Sequence, residues 1–230
     1  HGRTGSAPNR PALPDGYTMD QLVSDAAFVV GKLGLDAPVV AGHSWGAAVA
    51  LEFAARQPDL LSGLVFVDGP LQGISSMFSW DEAKAFMQPE LPRYGSMAEA
   101  IAGSRQEFKE AWADDLEGFV EARVMRDGDQ IVLTLTQEIR RELLRGLYDS
   151  RPETLWPDVR VPASVLVARH SVARLSRWSE TAVERLHEIA PSVEVRRFET
   201  PHDIPLYAPA EVAQEIERVA RLVSGLRSTI

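Results

Sequence analysis

Short apolar runs alternate with helical patterns along much of the chain. The apolar runs at 38–41, 64–67 and 162–168 have lengths typical of strands buried on both faces of a sheet, and a further strand is predicted at 193–198. Apolar residues at helical spacing occur at about 18–33, 47–56, 136–148, 179–189 and 209–223. Strands that alternate with helices predict an α/β fold, with a mostly parallel sheet flanked by helices.

Residues 71–157 interrupt this alternation. They contain several short helical patterns, with tryptophan, phenylalanine and methionine residues distributed among them. After the turn Asp127-Gly128-Asp129, apolar residues alternate only briefly. The sequence therefore predicts a helical cap at 71–157, inserted between two parts of one core domain at 1–70 and 158–230.

Composition and charge restrict the classes of function. The net charge of -9 disfavours nucleic acid or an anionic membrane as a partner. No apolar run approaches the ~18 residues of a membrane span, so we expect a cytoplasmic protein without a membrane partner. The chain contains no cysteine, which excludes disulfides and thiolate ligands and fits a reducing compartment. The histidines have no metal-ligand spacing, so neither a metal nor another cofactor is expected.

A serine between two glycines follows the first apolar run. The stretch reads Gly42-His43-Ser44-Trp45-Gly46, and an alanine-rich helical pattern comes next. A tight strand-to-helix turn would expose the serine hydroxyl, and flanking glycines would avoid backbone crowding. The helix would direct its N-terminal amides towards the site, so the Trp45 backbone N–H is the predicted oxyanion donor. The alternative is a glycine-rich turn without chemistry.

A serine nucleophile needs a base, and the chain has five histidines. His202 follows the last predicted strand and is the predicted base, because it would lie at the same sheet edge as Ser44. His170, which follows the strand at 162–168, is the second candidate. His43 adjoins the nucleophile, and we predict a packing, gating or substrate contact for it. The two remaining histidines lie in the opening loop and in a helix: His1 and His187.

Together these residues resemble the α/β-hydrolase superfamily. The resemblance rests on the elbow at 42–46, on His202 within Pro201-His202-Asp203-Ile204-Pro205, and on the order of serine before histidine. It implies hydrolysis through an acyl-enzyme, with residues 71–157 as the cap. The opening residues 1–6 are similar to the loop after the fourth strand of this family. We therefore expect an upstream segment of the same protein, which would supply the second oxyanion donor and cover an apolar sheet edge.

The catalytic acid departs from the usual pattern of the family. Most members carry an aspartate after the strand that matches 163–168, where this chain has Ser171. A serine cannot stabilise the imidazolium ion that forms during catalysis. Some members place the acid after the strand that follows the nucleophile helix, and Asp68 occupies that position here. Asp68 is the predicted acid, with a turn-capping role beside Gly69-Pro70 as the alternative. Asp203 ranks lower, because neighbouring side chains diverge.

These features favour a serine hydrolase of a small lipophilic ester or lactone. Ser44 excludes the aspartate-nucleophile chemistry that epoxide hydrolases and haloalkane dehalogenases of this superfamily use. Thioester or carbon–carbon bond hydrolysis would use the same residues, and Ser171 motivates a further alternative, a non-catalytic binding protein or receptor. A homodimer is also left open. The predicted contacts to the apolar substrate are His43, Met77, Phe78 and Trp80.

Overall fold

The computed structural model describes residues 16–227. The predictions made for His1 and the opening loop therefore lie outside the described residues. The described chain forms two compact units. We call Thr18–Phe78, together with the chain from Gly146 onward, the sheet unit, and Ser79–Arg145, together with residues 16 and 17, the inserted unit.

The helices and strands follow one another largely as the apolar pattern predicts. Their order is α1 (Met19–Lys32), β1 (Val39–His43), α2 (Trp45–Arg56), β2 (Gly63–Val67), α3 (Trp80–Met87), β3 (Arg93–Tyr94), α4 (Met97–Phe108), α5 (Leu116–Arg123), β4 (Val124–Asp127), β5 (Gln130–Leu133), α6 (Gln137–Asp149), α7 (Pro152–Leu155), β6 (Ala163–Ala168), α8 (Ala173–Ile189), β7 (Glu194–Phe198), α9 (Ile204–Tyr207) and α10 (Pro209–Arg227). Within residues 16–227, no helix is long and apolar enough to cross a membrane.

The sheet unit is built on a parallel sheet with the strand order β1-β2-β6-β7. The predicted α/β fold is thereby confirmed. Parallel pairing brings the carboxyl ends of these strands to one edge of the sheet. Ser44 follows β1 at this edge, Asp68 follows β2, and the loops that carry His170 and His202 follow β6 and β7.

Helices cover both faces of the sheet and create two hydrophobic cores. All residues of β2 are buried, which explains why the run at 64–67 is apolar at every position. Leu64 and Phe66 pack with residues of α1, α2 and α8 on one face. Val65 and Val67 pack with residues of α9 and α10 on the other face. The fully apolar strand thus contributes to both cores, and this fixes the position of the loop that follows it.

The outer edge of the described sheet is less buried. Within residues 16–227, β1 pairs only with β2, and its middle residue Ala41 is exposed. On α1, Phe28 is 68% exposed, and Leu33, the residue after this helix, is 66% exposed. These side chains leave apolar surface on the described part of the sheet unit.

The inserted unit contains strands as well as helices. A three-stranded antiparallel sheet has the order β3-β5-β4. The turn Asp127-Gly128-Asp129 connects β4 and β5, and Gly128 adopts the left-handed region with φ 60°. The inserted unit thus combines the helices that the sequence predicts with a small antiparallel sheet. Strands of two to four residues are too short to show a clear alternation of apolar and polar positions.

The boundaries of the inserted unit also differ from the predicted 71–157. Residues 71–78 and 146–157 belong to the sheet unit. Trp156 is fully buried there, and its indole N–H donates to the carbonyl of Pro70 at 3.1 Å. The backbone N–H of Gly73 donates to the Glu153 carboxylate at 2.9 Å. Composition alone could not reveal these contacts, because they join segments about 80 residues apart.

A buried carboxylate connects α10 to the sheet. Glu215 on α10 is fully buried, and its carboxylate accepts hydrogen bonds from Arg196 on β7 and from Arg218. Burial raises the pKa of this carboxyl group. The hydrogen bonds from Arg218 and Arg196 outweigh that effect and lower the pKa to about 2. Glu215 therefore stays ionised inside the protein at neutral pH.

We predict that Glu215→Gln lowers the free energy of unfolding by on the order of 3 kcal/mol at neutral pH, because a neutral amide loses the charge-assisted hydrogen bonds from Arg196 and Arg218 that lower the pKa of Glu215 to about 2. The folded-state pKa is depressed, so the stabilisation is present above the ordinary pKa of 4.5 and is lost as the pH falls towards 2. In urea unfolding, the difference in unfolding free energy between wild type and variant should shrink as the pH is lowered from neutral towards 2. Glu217→Gln, at an exposed ion pair of the same helix, is the control. A pH-independent difference would contradict this explanation.

Candidate active site

Ser44 lies in a strained turn between β1 and α2. Its backbone has φ 54° and ψ -118°, a conformation that residues with a side chain rarely adopt. The Ser44 N–H donates to the carbonyl of Val67 at 2.8 Å, and the Ser44 carbonyl accepts from the N–H of Ala47 at 3.0 Å. The turn is thus held between the end of β2 and the first turn of α2.

The two glycines of the elbow have different surroundings. A Cβ atom added at Gly42 would lie 2.4 Å from the carbonyl oxygen of Gly46 and 2.8 Å from Cα of Ala47. A Cβ atom added at Gly46 would meet no heavy atom within 4 Å. Backbone crowding therefore explains Gly42 but does not explain Gly46.

The structure brings Ser44, His202 and Asp68 into one chain of hydrogen bonds. His202 Nε2 lies 2.7 Å from Ser44 Oγ, and His202 Nδ1 lies 2.5 Å from Asp68 Oδ2. A carboxylate can only accept, so the Nδ1–H of His202 donates to Asp68. Nε2 of the neutral imidazole is then free to accept the hydroxyl proton of Ser44. This arrangement is the one that activates a serine nucleophile.

The Asp68 carboxylate is fixed by groups outside its own turn. Its backbone has φ 47°, and its N–H donates to the carbonyl of Leu166 at 2.7 Å. Oδ1 accepts from the N–H of Ala168 at 2.9 Å, which leaves Oδ2 for His202. The Asp68 side chain is only 7% exposed. Both groups of β6 that bond to Asp68, the carbonyl of Leu166 and the N–H of Ala168, belong to the backbone. The carboxylate therefore has a well-defined orientation.

The environment of His202 favours its protonated form. Burial lowers the pKa of His202, but the hydrogen bond to Asp68 and the negative charges of Asp68 and Asp203 outweigh this effect. The pKa of His202 consequently lies above the ordinary value of 6.5. Asp203, which the sequence ranked below Asp68 as the acid, acts on His202 through its charge.

The other candidates for base and acid take different positions. His170 Nε2 lies 3.9 Å from Asp68 Oδ1, so this histidine is adjacent to the acid. Nε2 of His43 lies 3.0 Å from the carbonyl oxygen of His202. His187 is exposed on α8, and Ser171 is exposed in the loop after β6.

The predicted oxyanion donor begins α2. Trp45 is the first residue of this helix, so its backbone N–H has no acceptor within the helix. The positive end of the helix dipole lies at the same place, which favours developing negative charge. The indole Nε1 of Trp45 is buried and has no hydrogen-bond partner among the described residues. The backbone N–H remains the predicted donor.

The predicted substrate contacts are divided between the two units. In the sheet unit, Phe78 is buried, and the guanidinium carbon of Arg174 lies 5.1 Å from the centre of its ring. Arg174 also donates to the carbonyl of Met77. In the inserted unit, Trp80 is contacted by Lys84 and by Arg145, at 5.6 and 5.2 Å from its ring centre. The sequence gives no signal for the contacts of Arg174 with Met77 and Phe78, because an arginine near the start of a helix has no distinctive pattern.

The chain belongs to the alpha/beta hydrolase family, whose model matches residues 1–215. Over 104 residues it is 27% identical to Epoxide hydrolase 1 of Caenorhabditis elegans. This alignment covers 45% of this chain and 20% of that protein. Over 69 residues it is 33% identical to Putative carbamate hydrolase RutD of Enterobacter cloacae. This alignment covers 30% of this chain and 26% of that protein. The matched part thus spans about a fifth to a quarter of the length of these curated relatives.

A solved structure shows the same fold over most of the chain. E-2-(Acetamidomethylene)succinate hydrolase superposes with a TM-score of 0.75, at 17% sequence identity. The superposition covers 93% of this chain and 76% of that chain. The likeness supports the fold, and the chemistry has to be argued from the residues of the site.

We predict that Gly42→Ala disrupts the elbow, because the new Cβ would collide with backbone atoms that cannot move independently. The variant should unfold at a temperature several degrees lower than the wild type, on the order of 5 °C or more. Gly46→Ala is the matched control and should change the unfolding temperature little, since its Cβ would occupy open space. Equal effects of the two substitutions on thermal unfolding would refute the crowding explanation.

We predict that Asp68→Asn lowers the pKa of His202, because it removes the adjacent negative charge and leaves one amide oxygen for two donors, the Ala168 N–H and the His202 Nδ1–H. NMR titration of the His202 ring should detect the shift without any substrate. Asp203→Asn should move the pKa in the same direction by less, since Asp203 contributes only its charge. A His202 titration that Asp68→Asn leaves unchanged would argue against the proposed pairing in solution.

Proposed function

We propose that this protein is a serine hydrolase that cleaves a small lipophilic ester or lactone through an acyl-enzyme intermediate. The observation that carries the proposal is the continuous hydrogen-bond chain from Asp68 through His202 to Ser44. Ser44 also precedes the N-terminus of α2, where developing negative charge is favoured.

The first half of the proposed reaction forms the acyl-enzyme. Ser44 Oγ attacks the carbonyl carbon of the substrate, and Nε2 of His202 takes the hydroxyl proton. Asp68 stabilises the imidazolium ion, while the Trp45 N–H donates to the oxyanion. His202 then transfers its proton to the alkoxide leaving group, and the bond between that oxygen and the acyl carbon breaks.

The second half of the proposed reaction regenerates the enzyme. His202 removes a proton from water, and the resulting hydroxide attacks the acyl carbon of the ester with Ser44. The proton on His202 returns to Ser44 Oγ as the acyl bond breaks, which releases the carboxylic acid. All proton transfers use Nε2, because Nδ1 remains bonded to Asp68. Neither step needs a metal or an organic cofactor.

The structure favours this chemistry over the binding-protein alternative. Ser171, which motivated that alternative, would leave the histidine without an acid if Asp68 merely capped its turn. Asp68 instead lies 2.5 Å from His202, so an acid is available. Thioester and carbon–carbon bond hydrolysis use the same residues and remain alternatives to be distinguished by substrate tests.

The name of one relative, an epoxide hydrolase, does not transfer to this chain. Ring opening through an ester intermediate on the enzyme requires a carboxylate nucleophile, and this chain has Ser44 in the elbow. A carbamate, named for the other relative, also has a carbonyl carbon that a serine nucleophile can attack. A substrate panel should therefore include p-nitrophenyl esters, lactones, carbamates and thioesters.

We predict that a fluorophosphonate probe adds once to the wild-type protein, with the added mass on Ser44 in peptide maps. Ser44→Ala should abolish the labelling and lower turnover of any accepted ester by about 10³-fold or more. Ser171→Ala is the matched control, since this exposed serine has no base in the proposed mechanism and should leave labelling unchanged.

The same experiment can reject the proposal. A folded wild-type protein that acquires no label would favour the binding-protein alternative. Label on another serine would show that the hydrogen-bond chain does not identify the nucleophile. Intact mass measured before and after labelling, with a thermal unfolding curve of each sample, separates these outcomes from misfolding.

A further inference from the structure

The loop that carries His202 is short and largely exposed. It connects the end of β7 at Phe198 with the start of α9 at Ile204. Pro201 and His202 are exposed, so side-chain packing gives this loop limited support. The distance between His202 and Ser44 consequently depends on what holds the loop backbone.

Hydrogen bonds from three neighbouring elements reach the backbone of this loop. At the start of α9, the N–H of Ile204 donates to the carbonyl of His202 at 2.9 Å, which leaves that oxygen one further lone pair. The Arg169 N–H, after β6, donates to the carbonyl of Thr200 at 2.9 Å. His43, the last residue of β1, places Nε2 at 3.0 Å from the carbonyl oxygen of His202. The rings of His43 and His202 lie 5.0 Å apart at 39°. The His43 contact therefore acts on the residue that carries the base.

The identity of the acceptor determines which atom of His43 carries the proton. A carbonyl oxygen can only accept a hydrogen bond, so Nε2 of His43 must donate. Both neutral imidazole with a proton on Nε2 and the imidazolium ion provide this donor. The contact consequently persists whether or not His43 is charged.

We propose that His43 is a positioning residue whose Nε2–H holds the carbonyl of His202 and thereby fixes the loop of the base relative to Ser44. His43 and Ser44 are adjacent in the chain, so the hydrogen bond connects the end of β1 directly to the loop after β7. The effect on activity rests on the proposed function. The inference goes further, because it assigns His43 to the loop instead of to the substrate.

Loss of this donor has consequences at both nitrogens of His202. A displaced loop would lengthen the contact of Nε2 with Ser44, and a misplacement of about 1 Å can reduce a rate by about 10²-fold. It would also weaken the contact of Nδ1 with Asp68. Because that contact raises the pKa of His202, its weakening would lower the pKa. The groups that act on His202 are otherwise unchanged, since Asp68 is held by β6 and Asp203 is in the same loop.

Variants of His43 separate the donor from the ring. His43→Phe keeps an aromatic ring but removes the donor, whereas His43→Gln keeps an N–H donor at a similar distance from the backbone. His43→Ala removes the donor without adding bulk, in case the phenylalanine variant does not fold. His187→Gln and His187→Phe are matched controls at an exposed position of α8. Thermal unfolding identifies the folded variants.

Two measurements test the proposal, and only the first depends on the reactivity of Ser44. The first is the rate constant for fluorophosphonate labelling of Ser44, which should fall 10- to 100-fold in His43→Phe and His43→Ala, by about the factor expected for small misplacements. The second is NMR titration of His202, whose pKa should fall towards 6.5 in the same variants. His43→Gln should retain most of the wild-type labelling rate and most of the elevation of the His202 pKa. The His187 variants should match the wild type in both.

The outcomes distinguish this inference from the proposed function. Wild-type labelling and an unchanged His202 titration in His43→Phe or His43→Ala would overturn the positioning role. A raised KM for p-nitrophenyl acetate with unchanged kcat would instead assign His43 to the substrate. If the wild-type protein takes no label, the proposed function fails. The His202 titration then decides the positioning role by itself, because it requires no turnover.

Discussion

The Asp68 carboxylate connects the parts of this protein on which the site depends. One oxygen accepts from the backbone N–H of Ala168, and the other accepts from the imidazole of His202. The first contact is possible because β2 and β6 are parallel neighbours and end at the same edge. A side chain that is nearly buried and fixed on one oxygen loses little further freedom when the other oxygen binds His202.

The same sheet edge concentrates backbone strain. Ser44 and Asp68 both have positive φ values although neither is glycine. Such conformations persist only where the surroundings enforce them, and the fully buried β2 between two cores provides that support. The N–H of Ser44 donates to the carbonyl of Val67 at the end of this strand, so the turns at Ser44 and Asp68 are both anchored to β2. Strain and rigidity at the edge are thus linked through β2.

The histidines show how much of the site the sequence predicts without the structure. The sequence predicts His202 as the base because it follows the last strand, and the structure brings it next to Ser44. His43 and His170 also lie close to the site, at the carbonyl of His202 and beside Asp68. The sequence places all three near one edge but does not show which atoms they contact, since side-chain direction depends on the local backbone.

The sequence by itself determined the parallel sheet, the elbow at Ser44 and the strand-end position of His202. These features follow from local rules, namely apolar runs for buried strands, helical spacing for helices, and a glycine where a Cβ would strike the backbone. The tertiary structure decided that Asp68 meets His202, that His43 reaches the same loop, and that the inserted unit includes strands and begins at Ser79. Asp68 and His202 are 134 residues apart, and a hydrogen bond over that separation leaves no periodic pattern in the chain. Only the pairing of β2 with β6 and of β6 with β7 brings such residues together, and that pairing depends on the whole sheet.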